Sequence, residues 1–390
     1  MMAGPHSPEV SPTVGSAPLR IAVWNAAGLP PYFTTGIGKV LVNVVGALDR
    51  TPNVEVVFHV PKRPTPYAVA NPDLSPLGGV LRRTVPHTAP ALDAMWRTLG
   101  WPAFDRWAGD CTWLFCPLEL WCPPGRMKYA VVVHDVYQFE PEFPHRSWRL
   151  SMKRRLVWER ALNRADLIFS VSEFTKQRLT ALFGIDSGKV VVCPNAVEDS
   201  YANRNEESDR QAAEKFIKGP YVLNVGGLRR KKGGAAQLAL AEELAQRKSD
   251  LRLLVVGPVD SEFAEEARGR SHLVIVDRGI PDEELRALTA RARVCMMLSE
   301  YEGFGIPLLE GMASGVPVLG ANRASIPEVV GSSEFLVEPD DPRSIADRIE
   351  RLHADSDARH DALEKGKNRV GMFSWDKSAE IILGAMRARS

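Results

Sequence analysis

The chain has 390 residues, enough for two domains of ordinary size, and 45% of them are hydrophobic, as a globular protein with real cores requires. Its 49 Lys and Arg balance 48 Asp and Glu, which excludes the bulk charge that would draw it to nucleic acid. Five cysteines are too few for a disulfide framework, and their odd number suits a reducing compartment.

Residues 1–18 are rich in Pro, Ser, Gly and Ala and lack the apolar core of a signal peptide, so a disordered tail is expected. No apolar run reaches the length of a membrane span, and a cytoplasmic protein is expected. Leu19 to Asn25 reads as the first strand. A-A-G-L-P-P-Y-F-T-T-G-I-G-K then opens an amphipathic helix to about Arg50. Strand, glycine loop and helix is a mononucleotide-binding arrangement, although Gly36 and Gly38 also suit a plain tight turn. Val54 to Val60 is a second strand. Residues 61–90 are proline-rich, carry His87 and read as a long surface loop with one strand near Val80 to Val85; such a loop is either a variable connection or functional. Trp96, Trp101, Trp107, Trp113 and Trp121 read as core or interface packing. Cys111 and Cys116, in one expected strand, would face opposite sides and could not share a metal; zinc is not expected.

Tyr129 to Val133 is a continuous apolar strand ending in His134 and Asp135. Polar residues at a strand's carboxyl end stand where ligands bind in open α/β sheets. Residues 146–164 form a basic amphipathic helix in which Arg146, Arg149, Lys153, Arg154, Arg155, Arg160 and Arg164 face one acid, Glu159. This is either a solvated face or a contact for anionic lipid or a pyrophosphate-linked acceptor. Leu167 to Val171 and Val190 to Cys193 are further strands, with Ser172 an expected helix N-cap. The polar span 197–218 reads as an interdomain linker.

A second domain is expected over 219–372, opening with the strand Tyr221 to Val225. Its carboxyl end is G-G-L-R-R-K-K-G-G. Four cations, Arg229, Arg230, Lys231 and Lys232, flanked by glycines at a strand-to-helix turn, form a local anion site. Leu251 to Gly257 and His272 to Val276 are strands, and so is Val294 to Leu298. The last of these runs into a glycine-bearing loop, Ser299 to Gly305, and a helix whose first turn carries Pro307. Glu302 lies in the loop and Glu310 early in the helix. Two carboxylates beside a helix start are poor anion binders but good acceptors for sugar hydroxyls next to a diphosphate. A short strand from Val316 to Leu319 and a helix over 342–355 follow. Asp355-Ser356-Asp357 matches an Asp-x-Asp pattern by chance. The amphipathic segment 373–390 closes the chain.

E-G-F-G-I-P-L-L-E, with the trailing G-M-A-S-G-V-P-V and S-I-P-E-V-V-G, closely resembles the signature of family 4 retaining glycosyltransferases. The segments T-G-I-G-K, V-H-D and G-x-L-x-x-x-K-G resemble the same family. The resemblance runs from about Leu19 to the C-terminus and implies the GT-B architecture: an α/β protein of two Rossmann-like domains facing a central cleft. Residues 19–196 would be the acceptor side, and the last helix would return to brace it.

By that resemblance Lys232 and Lys231 neutralise the donor diphosphate, with Gly36, Gly38 and Gly227 in the glycine loops. Gly227 stands where some members carry an arginine; here that arginine's part is missing or falls to Arg229 or Arg230. Glu310 takes the ribose, and Glu302 takes the donor sugar beside the backbone of Gly303, Phe304, Gly305 and Ile306. His134 lies beside the donor sugar, and Asp135 orients it or touches the acceptor. The implied reaction moves a hexose from a nucleotide diphosphate sugar to a hydroxyl of a glycan, lipid-linked or small-molecule acceptor. It keeps the anomeric configuration and uses no metal and no cofactor. The R-K-K-G loop and P-E-V-V-G run resemble mannosyl- and rhamnosyl-type members, which points first to guanosine diphosphate mannose. A sugar-nucleotide epimerase of the same architecture and a noncatalytic nucleotide-sugar-binding module are the alternatives.

Overall fold

The computed structural model describes residues 18–25, 36–62, 77–86, 89–117, 121–143 and 148–389. The tail, residues 26–35 of the first glycine loop, His87 and Arg146 lie outside the described residues. Strands β1 (Leu19–Trp24), β2 (Val54–Pro61), β3 (Leu81–Val85), β4 (Trp113–Cys116), β5 (Lys128–Val133), β6 (Leu167–Ser170) and β7 (Val190–Val192) form one sheet. Strands β8 (Tyr221–Val225), β9 (Arg252–Val256), β10 (Leu273–Val276), β11 (Val294–Met297), β12 (Val318–Ala321) and β13 (Leu336–Val337) form another. All the pairings are parallel. Parallel strands need helices on both faces, and this is why V-V-V and L-L-V-V read as unbroken apolar runs rather than alternating ones.

The first sheet runs β3-β2-β1-β4-β5-β6-β7 and the second β10-β9-β8-β11-β12-β13. In each the order reverses beside the opening strand, between β1 and β4 and between β8 and β11. Loops leaving the carboxyl ends at such a reversal diverge to opposite faces and leave a crevice, the usual ligand site of this fold class. The chain is thus two Rossmann-like lobes.

Around the first sheet lie α1 (Gly36–Arg50), α2 (Ala89–Thr98), α3 (Asp105–Ala108), α4 (Trp148–Arg164) and α5 (Glu173–Phe183). The second sheet is flanked by α6 (Glu206–Glu214), α7 (Gly234–Gln246), α8 (Ser261–Ala264), α9 (Asp282–Arg291), α10 (Ile306–Ala313), α11 (Ile326–Val330), α12 (Pro342–Ala354) and α13 (Ser356–Val370). The last helix, α14 (Trp375–Arg387), packs back on α1 of the first lobe. Ser378 Oγ there donates to the Pro194 carbonyl at 2.7 Å, and Arg50 pairs with Asp376 at 2.9 Å.

Two local expectations need correction. The span 197–218 is no plain connector: it holds α6, which packs on α9 and buries Ala213, with Ile217 buried just beyond it. Cys111 precedes β4 rather than lying in it, and it shares one apolar cluster with Cys116 and Cys122. Asp355, of the chance Asp-x-Asp match, is the N-cap of α13, accepting from the backbone N–H groups of Asp357 and Ala358. Of the five tryptophans, Trp96, Trp113 and Trp121 are buried, Trp107 packs against the cluster that holds Trp96 and Trp121, and Trp101 is exposed.

Candidate active site

The two loops at the β8/β11 reversal are built to lie against each other. Gly226 and Gly227 turn the chain out of β8 with positive φ, and a Cβ on Gly227 would stand 2.1 Å from the Pro258 carbonyl. The Glu300 N–H donates to the Lys231 carbonyl at 3.0 Å, tying the second loop to the first. Gln237, fully buried in α7, donates to the Lys232 carbonyl at 2.8 Å. Ser325 Oγ spans the carbonyls of Glu302 and Phe304 at 2.9 and 3.0 Å. Every one of these bonds fixes backbone, so the side chains the loops present are held before any ligand arrives.

The structure brings Lys232 and Glu302 together. Lys232 Nζ lies 2.5 Å from Glu302 Oε1, which also accepts from Ser299 Oγ at 2.7 Å. Lys231 reaches the other lobe, with its Nζ 2.7 Å from Asp135 Oδ2 and 4.6 Å from the centre of the Tyr137 ring. The four cations therefore do not act as one cluster. Lys231 and Lys232 meet carboxylates of the cleft, whereas Arg229 is exposed and turns to Asp260 at 3.4 Å, and Arg230 is exposed beside it.

His134, at the end of β5, is buried, and its Nε2 lies 2.8 Å from the Pro117 carbonyl. A carbonyl only accepts, so Nε2 carries the proton and Nδ1 is the accepting nitrogen of the neutral ring. Burial pulls the ring's pKa below the usual histidine value, more strongly than the Pro117 bond and Asp135 lift it. The imidazole is thus neutral at neutral pH. Gly303 lies directly against this strand end: a Cβ there would stand 1.6 Å from the His134 carbonyl oxygen. The E-G-F-G loop of one lobe and the His-Asp turn of the other are in contact.

Glu310 is buried in α10, and Lys39 of α1 reaches across to it at 3.7 Å. Lys39 also meets Asp282 at 3.2 Å and the Tyr201 hydroxyl at 3.4 Å. Burial pushes the Glu310 carboxyl above its ordinary range, while Lys39 and the Tyr201 hydroxyl pull it partly back. For Lys39 burial works downward, but Glu310, Asp282 and Glu198 together leave its pKa raised. Lys39 is a site residue that sequence reasoning missed. Its only signal was a cation directly after G-I-G on an otherwise apolar helix, G-I-G-K-V-L-V. Asp282 and Gln237 were missed too, since helices carry such residues routinely.

Phe304 has its side chain in the core against Phe373, with ring centres 5.7 Å apart, so only its backbone faces the loop. Gly305, in positive φ, precedes Ile306 at the start of α10. Gly36 and Gly38 begin α1. Among the described residues no three His, Cys, Asp or Glu side chains gather as a metal site.

A family model described as "Glycosyltransferase Family 4" matches residues 34–201, and one described as "Glycosyl transferases group 1" matches residues 205–369. The chain belongs to the family 4 glycosyltransferases. This glycosyltransferase is 28% identical over 279 residues to the O-antigen chain mannosyltransferase B of Escherichia coli, covering 68% of this chain and 71% of that one. It is also 28% identical over 263 residues to the GDP-mannose-dependent alpha-(1-6)-phosphatidylinositol monomannoside mannosyltransferase of Mycolicibacterium smegmatis, covering 62% and 68%. Its fold matches that of Anabaena HepE, solved in complex with UDP and glucose, with a TM-score of 0.67, 15% identity and coverage of 95% and 99%. Together the paired models and the fold make the enzyme a GT-B hexosyltransferase.

Proposed function

We propose that the enzyme transfers mannose, with retention, from guanosine diphosphate mannose to a hydroxyl of a glycan or lipid-linked acceptor. The observation that carries this reading is the seating of Lys232 on Glu302, and of Lys231 on Asp135, at the strand-order reversal between two lobes. The names of the two mannosyltransferase relatives support mannose as the sugar, and that of the Mycolicibacterium smegmatis enzyme supports its guanosine diphosphate form as the donor.

Charge grows on the leaving diphosphate as the glycosidic bond breaks. Lys232 and Lys231, already held in the cleft by carboxylates, would shift to that charge, aided by glycine-loop N–H groups; preorganised electrostatics of this kind usually dominate catalysis. Glu302, released from Lys232, accepts from the donor sugar's hydroxyls. Glu310 accepts from the ribose. Neutral His134 hydrogen-bonds a sugar hydroxyl, and Asp135 lies on the acceptor side. The acceptor hydroxyl attacks the face the diphosphate leaves, and a phosphate oxygen takes its proton, so no protein nucleophile and no metal are needed. We place the enzyme in the cytoplasm, with contact to anionic lipid through α4. There Met152 and Leu156 are exposed beside Lys153 and Arg154, and no helix among the described residues is long and apolar enough to cross a membrane.

Calorimetry with a panel of nucleotide diphosphate sugars tests the donor. Guanosine diphosphate mannose should bind best. Lys232→Ala and Glu310→Ala should each weaken it by about tenfold or more, the scale of one charge-assisted hydrogen bond. Transfer should persist in EDTA. Normal donor binding in both variants would sink the site, and donor turnover without acceptor would favour the epimerase.

A further inference from the structure

The switch loops leave the carboxyl ends of β8 and β11. At the opposite, amino ends of the same two strands lies a separate pocket of about 390 Å³. Arg204, Arg291, Arg293 and Arg359 line it, from the segment before α6, the end of α9, the position just ahead of β11 and α13. Two of them are fixed by backbone. Arg204 donates to the Ala290 carbonyl at 2.7 Å and Arg359 to the Arg293 carbonyl at 2.9 Å.

Among the described residues none of these four guanidiniums has a carboxylate within 4.0 Å, whereas Arg210 on the same rim is neutralised by Glu207 and Glu214. Elsewhere in this lobe Arg247 meets Glu243, Asp347 and Glu350, and Arg270 meets Glu242 and Glu266. The pocket thus gathers four cations that repel one another. Arg359, half-buried, is held below the usual arginine value by burial and then by Arg293 and Arg204. Arginines carry planar forks matched to oxyanions, and a concave cationic wall concentrates anions. A pocket of this volume is in the range that encloses a small ligand.

We propose that this pocket binds a small, free phosphorylated molecule carrying several negative charges, behind the cleft rather than in it. The inference does not rest on the donor assignment.

Inorganic triphosphate is the probe, titrated by calorimetry into the full chain at physiological chloride. Three proteins are compared: wild type, Lys231→Ala/Lys232→Ala, which removes the cleft cations, and Arg293→Ala/Arg359→Ala. The pocket should keep binding triphosphate in the lysine variant. It should lose about tenfold or more in affinity in the arginine variant, the scale of missing charge-assisted bonds. Arg293→Gln/Arg359→Gln, which preserves bulk, should give the same loss if the alanine variant folds poorly. Donor affinity in the arginine variants should equal that of wild type. Triphosphate binding that survives both arginine variants, or that vanishes only with the lysines, overturns the proposal. So does equal binding of sulfate at matched ionic strength, which would mark a nonselective charge. Phosphatidylglycerol vesicles that need Arg293 and Arg359 while triphosphate does not would assign the arginines to a lipid surface and also overturn it.

Discussion

Lys39 carries a charge into a buried position between the lobes, and three elements converge on it. Glu310 comes from α10 and Asp282 from the start of α9, while Glu198 and the Tyr201 hydroxyl come from the chain leaving the first lobe. A carboxyl already raised by burial depends on this cation to stay ionised. Removing a nearby cation raises a carboxyl pKa further. In Lys39→Met, Glu310 should therefore hold a proton nearer neutral pH and accept ribose hydroxyls less well. Donor affinity should fall by about tenfold at neutral pH. The acid limb, where binding is lost as pH falls through the Glu310 titration, should move to higher pH. Lys39→Arg should restore most of it. Calorimetric donor binding across the acidic-to-neutral range reads both effects; a weakening independent of pH would make Lys39 a packing residue only. Loss of one partner of a buried ion pair also costs stability, about 3 kcal/mol. In urea unfolding this deficit should be largest at neutral pH and shrink as Glu310 takes its proton.

The loop between β11 and α10 shows why its glycines are glycines. Gly303 leaves no room for a Cβ, since 1.6 Å separates that position from the His134 carbonyl and real Cβ atoms keep 3.0 Å or more. Gly303→Ala must push the two lobes apart where the loop after Glu302 meets the His134 carbonyl. Misplacement of about 1 Å at a reacting centre costs roughly a hundredfold in rate. Steady-state transfer should show that loss in kcat, and an unchanged kcat would mean the two lobes do not touch there during turnover. This element was largely legible beforehand. The apolar run before it, the glycines and Pro307 each constrain backbone locally, and local constraint survives in a sequence. Lys39 was not legible, because its partners lie far along the chain and its meaning is made by burial. Likewise α6 hides in E-E-S-D-R-Q-A-A-E, where Ala213 is the one residue that becomes fully buried. Too few apolar positions remain to show a period. The run R-R-K-K suggested a single cationic site, and only the turn geometry separates Lys231 and Lys232 from the two arginines.

At the scale of the molecule, the lobes are tied by polar contacts as well as by packing. Tyr301 of the second lobe donates to Glu140 at 2.9 Å, and Arg178 grips the same carboxylate at 2.7 Å. Glu328 of α11 accepts from the first two N–H groups of α5, Glu173 and Phe174, at 2.8 and 2.7 Å, a carboxylate set where a helix dipole favours it. Outside these ties, α4 leaves Met152 and Leu156 exposed, one helical turn apart, beside basic residues. Leu156→Glu should reduce flotation with phosphatidylglycerol vesicles several-fold, by removing buried apolar area and adding repulsion. Transfer to a water-soluble acceptor should stay unchanged, and undiminished flotation would exclude α4 as the contact.

The return of α14 means that the first lobe is not encoded by one continuous stretch. Ser378, Asp376 and the buried Ile382 and Leu383 belong to it as fully as Pro194 and Arg50 do. A hybrid made by exchanging second lobes between related enzymes therefore needs two crossovers. One falls near residue 197 and the other ahead of Trp375, so that the final helix comes from the same parent as the surface it covers.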